Sequence, residues 1–513
     1  MARINSNIPS LIARSSLSKA NDDLSMHLQR LSTGVRINRG ADDPAGLIIS
    51  ERLRSEMGGL NQAVSNSNRA SSVISTTEGA LAEVSDLLSS IQGLVVQSAN
   101  TGAVSDDERK ANQLQIDSAI ESITRISNSA SFGGLKLLNG SLDYTLSGVN
   151  TSQLAKINVN GASFGGRSNI QVDVKVINSA QTANLFLSAS TGIFQSTTTF
   201  SVTGPLGVQE ISILSGQSLA SVRDAVNSFK LATGVSASLV NAGNPNSGLR
   251  FTSTGFGTKQ FVSVQRIGGP AGGGWFQTYK VPDTYNSTGT FDLSALQAGG
   301  NLISSGRDIG RDVAAIVNGS LANGDGLNVS LQNATSVSLT ASLAQSFATT
   351  NGSTSTFYLT GGGALYQLGG DINVSQQTNI GIPSIAASHL GGTLINGSLA
   401  FLSSLKTGGG NDLAASAVRS DFSQASTVLQ SSIDEISVLR GRLGAFEKNT
   451  LQTNVRSLQT AVENLTASES SIRDADFAEE TSSLTRSQIL TSAATSVLQL
   501  SNSQAQQVLQ LLK

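Results

Sequence analysis

The strongest constraint on this chain is a stripe of residues seven apart: Leu53, Leu60, Ser67, Ile74, Leu81, Leu88 and Val95, with Ala63, Ala70, Thr77, Val84 and Ile91 as a second seam. That interval is the signature of a coiled-coil helix, sustained here for about six heptads. Because Ser and Ala sit in the seam, whatever covers it must approach closely. The far end of the sequence carries matching stripes, Phe422, Leu429, Ile436 and Leu443, then Leu451, Leu458 and Leu465 with Val455 and Val462 between them. A single helix with one apolar stripe is not stable alone in water and needs another stripe to cover. The expected fold is therefore α+β: a long antiparallel helical coiled-coil rod built from the N- and C-terminal segments, with residues between them projecting as inserted β-rich outer domains. Leu53, Leu60, Ile74, Leu81, Leu88, Val95, Leu429, Ile436, Leu443, Leu451, Leu458 and Leu465 form its predicted core.

Local signals mark the helix ends. Asp42 and Asp43 before Pro44 read as a helix start, since a carboxylate accepts the free N–H groups of a first turn and proline needs no donor there. Asn100-Thr101-Gly102 reads as a stop, and Ser105-Asp106-Asp107-Glu108 as a capping box opening a helix whose Ile116, Ile120 and Ile123 share a face.

The extremities carry a different pattern. Ile8, Leu11, Ile12, Leu17, Leu24, Leu28 and Leu31 outline an amphipathic helix broken at STGVRINRG, and no charge occurs between Arg486 and Lys513, where Leu490, Val497, Leu498, Val508 and Leu512 recur with Leu484 just upstream. The tail is too rich in Ser, Thr and Gln for a bilayer, and no stretch approaches ~18 uninterrupted apolar residues. It is also too poor in charge for a solvated helix. Burial among neighbouring helices is what remains, and if those neighbours are other copies of the chain, the ends stay disordered until assembly.

The middle is different in kind. Residues 141–413 hold 11 of the 35 acidic side chains but 13 of the 17 Phe and all five Tyr, which marks a separate architecture. From about 197 the pattern predicts strand, strand, helix (Leu219, Val222, Val226, Phe229), then strands around Val235–Leu239, Leu249–Phe251 and Phe261–Val264. Val313, Ile316 and Val317 predict a helix before the alternating runs at Leu327–Leu331 and Val337–Leu343, a weak second copy of the same unit.

Chemistry finds little to work with. The chain has no cysteine, which removes disulfide scaffolds, thiolate zinc sites and thiol catalysis together. Its two histidines, His27 and His389, stand on separate elements and neither belongs to an HExxH motif; an interface or surface role is expected of His27. The glycine clusters at 268–275 and 361–370 lack GxxxxGK[ST] and read as turns. Acidic groups Asp106-Asp107-Glu108 and Asp474-Asp476-Glu479-Glu480 open predicted helices, where negative charge complements the dipole. Asn286, Asn318, Asn333 and Asn351 begin Asn-x-Ser/Thr triplets that an Asn- and Ser-rich segment produces by chance. A net charge of −2 offers no basic footprint for nucleic acid or an anionic membrane. No enzyme, cofactor or metal site is expected. The opening MARINSNIPS shows no basic stretch before an apolar run, so no ordinary signal peptide is expected.

Three stretches carry a resemblance. INSNIPSLIARSSLSKANDDLSMHLQRLSTGVRINRGADDPAGLIIS near the start, the later SFGGLKLLNGS, and SIRDADFAEETSSLTRSQIL near the end are similar to bacterial flagellin, the filament subunit of the flagellum. The likeness covers about 1–145 and 414–513; 305–385 resembles part of some long flagellins, and 197–265 resembles a repeat module of flagellar proteins. It implies a self-assembling homopolymer used for swimming, secreted through the flagellum's own type III apparatus and located in the extracellular filament. It further implies an inner tube from 1–40 and 474–513, a rod from 41–145 and 414–473 with a hairpin near 132–145, and outer regions 146–300 and 301–413. Subunit packing then falls to Ile8, Leu11, Leu17, Leu24, Leu28, Leu31, Leu484, Leu490, Val497, Leu498, Val508 and Leu512. Partners implied are an export chaperone, the filament cap and hook-junction proteins. A hook–filament junction protein, or a subunit whose outer domains also serve adhesion, are the alternative readings. One feature departs from the family: flagellins sensed by the animal toll-like receptor generally carry arginines in the stretch matched by 88–97 and a glutamate on the next helix, where this chain has Ser90, Gln92 and Gln115. Weak receptor activation is the expectation.

Overall fold

The computed structural model describes residues 7–187, 192–242, 247–269, 276–281, 302–332, 337–395 and 397–510. They form two compact units. One holds the described residues up to Ala70, Gln367–Gln376 and those from Lys448 on; the other holds Ser71–Tyr366 and Gln377–Glu447. The fold is α+β, with long helices at both ends of the sequence and several β-sheets between them.

In the first unit, α1 (Ile8–Thr33) begins at Asn7, whose side chain accepts from the Ser10 N–H, and stops at Gly34, which takes the left-handed φ of +75°. The next helix, α2, runs from Pro44 to Ala99 and passes into the second unit; the Asp43 carboxylate accepts from the Gly46 N–H at its start. Opposite α2 in the first unit lies α7 (Gln452–Arg473), followed by α8 (Phe477–Gln510). Their pairing is antiparallel: Glu51 meets Arg473, Arg54 meets Glu469, Met57 meets Thr466 and Ser67 meets Asn454. The buried positions of α2 here are small, Ser50, Ala63, Ser67 and Ala70, whereas Leu53, Leu60, Leu458 and Leu465 stay half-buried.

In the second unit the seam becomes large and closed. Ile74, Leu81, Leu88 and Val95 of α2 are buried, as are Leu429, Ile436 and Leu443 of α6 (Ser423–Phe446), and Ser71 bonds Glu447 between the two segments. One window of α2 is long and apolar enough, by length and composition, to cross a membrane. The apolar side chains of that helix recur as a seam one side wide, which is what helix packing needs and a lipid-facing cylinder does not. Between α6 and α7 the chain makes a single π-helical turn, Glu447–Leu451. It falls where the leucine spacing lengthens from seven to eight between Leu443 and Leu451. A π turn accommodates one extra residue, which matches the eight-residue step.

The third helix, α3 (Asp106–Ser129), opens on a capping box in which Ser105 and Glu108 satisfy each other's backbone N–H groups. Its buried Gln113 is fully used, donating to the Leu405 carbonyl at 2.9 Å and accepting from the Leu413 N–H at 2.8 Å, where α5 (Leu413–Arg419) begins. The two-stranded pair Ser131–Phe132 and Leu135–Lys136 follows, turned at Gly133 and Gly134, both at positive φ as a tight hairpin requires.

The inserted region is built on sheets. An antiparallel eight-stranded sheet takes Tyr144–Ser147, Leu154–Ala162 and Ile170–Asn178 together with five strands from Ala314 to Gly362, so the expected division at 300/301 falls between strands of one sheet. Its core includes Val172, Val174, Ala315, Val317, Leu339 and Phe357. The segment expected as a helix at Val313–Val317 is instead the strand Ala314–Val317, paired with Lys175 on one side and Leu321 on the other. A five-residue apolar run is too short to establish a helical period, and the turn after it decides: Asn318 (φ +48°) and Gly319 (φ +81°) make a hairpin. Asn318 also accepts from the Asp173 N–H at 2.8 Å, so this triplet belongs to a sheet turn.

A second body packs α4 (Leu219–Ser228) against strands Thr198–Thr203, Val208–Ile213, Val235–Leu239, Leu249–Ser253 and Phe261–Gly268, the order read from the sequence. Phe200 and Phe251 meet edge to face at its centre, with Leu219, Val222 and Val226 buried beside them.

Candidate functional site

The termini supply the most unusual surface of the chain. α1 and α8 lie antiparallel: Asn7 donates to the Ser501 carbonyl at 3.1 Å, Ser10 to Asn502 at 2.9 Å, and, at the other end of α1, His27 and Arg30 meet Glu480. Where sequence reasoning allowed ends disordered until assembly, both are helical and paired with each other. Asp476 starts α8 by accepting from the Ala478 and Glu479 N–H groups. The segments leading into and out of the pair are bridged, Arg36 N–H to the Arg473 carbonyl and Ala475 N–H to the Gly34 carbonyl, and nearby Ile37 is buried.

Glu480 is the polar centre of this pair. Oε2 lies 2.5 Å from His27 Nδ1 and Oε1 3.0 Å from Arg30 Nη1, with the carboxylate side chain 9% exposed. Burial alone would push its pKa up, but the hydrogen bonds from His27 and Arg30 outweigh that and hold it below the ordinary glutamate value. Sequence reasoning missed this residue, treating the acidic run only as a helix start and His27 as an interface histidine. The available signal was a His and an Arg three apart on the same face of α1.

What the pair buries is small. On α1 only Ala13 and Ala20 are buried. On α8 Glu480 and Ser487 are. The large apolar side chains are left over: Ile8, Leu11, Leu28, Leu490 and Val497 are between 44% and 58% exposed, and Leu17, Leu24, Leu31, Leu484 and Leu498 are half-buried. Ile12, at 62%, joins them, and Ile8, Pro9, Ile12, Ala494 and Val497 line an open apolar groove of about 450 Å³. Val508, as a side chain, and Leu512 lie outside what the structure describes, as do Asn286, Asn333 and most of 268–275. An apolar surface of this extent on paired helices is suited to covering by further helices, which is association chemistry rather than catalysis.

Elsewhere, Ser90, Gln92 and Gln115 are exposed on α2 and α3. Among the described residues no group of three or more His, Cys, Asp or Glu stands close enough to hold a metal ion.

Comparison with known proteins gives consistent matches. Residues 4–143 match the bacterial flagellin N-terminal helical region, 427–512 the bacterial flagellin C-terminal helical region, and 199–255 the flagellin hook IN motif. Flagellin of Salmonella rubislaw is 28% identical and aligned over 99% of each chain. B-type flagellin of Pseudomonas aeruginosa is 42% identical across 30% of this chain and 32% of its own. Among solved structures, flagellar hook associated protein-3 from Legionella pneumophila is 11% identical with a TM-score of 0.29, covering 82% of this chain and 97% of that one.

Proposed function

We infer, from the premise that this chain belongs to the bacterial flagellin family, that it is the structural subunit which assembles with copies of itself into the flagellar filament used for swimming. One observation carries the reading: the paired terminal helices bury only small or polar side chains, Ala13 and Ala20 on α1 and Glu480 and Ser487 on α8, and leave Ile8, Leu11, Leu28, Leu490 and Val497 about half exposed. In a monomer about half of each of those side chains stays in water. Covering the exposed half of each by a neighbour contributes about half of the roughly 1.5–3 kcal/mol that a full burial gives, and a contact that does not close on itself repeats into a fibre.

The chain is an extracellular component of that filament. Its export is read as proceeding through the flagellar type III apparatus, with an export chaperone, the filament cap and hook-junction proteins as further partners. Within the filament, 1–40 and 474–513 are assigned to the inner tube, 41–145 and 414–473 to the rod, and 146–300 and 301–413 to the outside. Ser90, Gln92 and Gln115, standing where receptor-sensed flagellins carry Arg and Glu, support weak activation of the toll-like receptor. A reporter-cell response as strong as that of an enteric flagellin would overturn this last assignment.

Removal of 1–35 or of 487–513 tests the main reading. Each truncation is expected to leave a soluble monomer with the seam that contains Leu81 and Ile436 intact by circular dichroism; polymerisation of both truncated chains would refute it.

A further inference from the structure

We propose that the loop Gln367–Gln376 is a contact between copies of this chain, with Ile372 and Val374 at its tip docking on the helical unit of a second copy. The inference rests on the self-assembly reading above. Although it arises between strands of the inserted region, this loop belongs to the same compact unit as α1, α7 and α8, and two features weld it there. Asn454 of α7 donates to the Leu368 carbonyl at 2.7 Å while reaching Ser67 of α2. Gly370 approaches Gly59 of α2 so closely that a Cβ on Gly59 would stand 3.2 Å from the Gly370 carbonyl oxygen, and one on Gly370 3.1 Å from the Gly59 carbonyl carbon.

The loop is also braced internally. Gln367 donates to the carbonyls of Gly369 and Asp371, the Gln376 side chain accepts from the Asp371 N–H at 2.7 Å, and Asn373 accepts from Ser375 and from the Gln376 N–H. All this holds Ile372 at 91% exposure with Val374 at 48% beside it. A lone exposed isoleucine is ordinary, but one held outward by a hydrogen-bonded frame is pre-organised: ordering a flexible loop on binding would consume much of what burial of its tip gains. The occupant follows from position. The loop is rooted in the unit that carries the terminal helices, so on the self-assembly reading its occupant is the helical unit of a second copy, whose α2 offers the exposed Ile48 and Ile49.

The full-length chain carries the test. It has no cysteine, so Ile372→Cys provides one thiol whose labelling rate is compared in monomer and filament, alongside the critical concentration of Ile372→Asn. Labelling at least ~10-fold slower in the filament and a critical concentration raised about tenfold or more for Ile372→Asn are expected, the latter being the scale of one buried aliphatic side chain. Filaments in which the introduced thiol reacts as fast as in the monomer overturn this contact alone. A wild-type chain that stays monomeric sinks the assembly reading and this contact with it.

Discussion

Glu480 and His27 join the two ends of the sequence, with 2.5 Å between carboxylate and imidazole across 453 residues of chain. Replacing Glu480 by Ala removes the acceptor for both His27 and Arg30 and is expected to destabilise the terminal helix pair by about 1–3 kcal/mol, seen as faster backbone amide exchange in α1. The pH dependence has a definite sign. Since the folded carboxyl titrates below its ordinary value of 4.5, the clasp contributes fully above that value and is lost as pH falls through the lower folded one. Wild-type α1 should therefore loosen below about pH 4.5, and a Glu480→Ala chain should lack that component.

The π turn at Glu447–Leu451 makes deletion tolerable at one place. Removing Asn449 converts the eight-residue step from Leu443 to Leu451 into seven, the α-helical heptad interval, so the melting temperature is expected to hold within a few degrees. Removing Gln459 from α7 rotates Leu465 by about 100° away from its seam, and should lower the stability of that helix pair clearly. Equal loss in both deletions would contradict the register argument.

The two halves of the α2 seam predict unequal mutational costs. Leu88 is wholly buried, so Leu88→Ala should cost about 2–5 kcal/mol by denaturant unfolding. Leu458 is half-buried in the first unit, and Leu458→Ala should cost clearly less in the isolated monomer. Assembly is the condition under which the second substitution is expected to matter more.

A polar seam fixes the β-rich region to α6. Glu435 accepts from Lys156 at 2.8 Å, from Asn158 at 3.1 Å and from the Gly391 N–H at 2.9 Å, while Arg442, seven residues on along α6, reaches Asn160 and the Gly381 carbonyl. Lys156, Asn158 and Asn160 alternate along one strand and so share a face. Glu435→Ala strands the Asn158 amide and the Gly391 N–H and leaves Lys156 only the His389 carbonyl, which should cost about 1–3 kcal/mol, with new protease sensitivity near Gly391. Unchanged proteolysis would show that the seam is not what holds this face.

Much of the molecule was legible from local pattern. The seven-residue stripes, the Ser105–Glu108 box and the Asp43–Pro44 start depend only on neighbours one or two turns away, and the terminal leucines announce their unmet need for cover by being apolar in an uncharged tail. The same holds for the module around α4, whose strands and helix each show their own period. Non-local pairing lay beyond reach. Whether Ala314–Val317 is helix or strand depends on Lys175 and Leu321 lying to either side, and the eight-stranded sheet joins segments that no periodicity relates. Likewise Glu480 meets His27, and Gly370 meets Gly59, only because distant helices are already in place; a sequence encodes which side chains seek burial or a partner, while the choice among partners is made by the packing that brings them within a few ångströms.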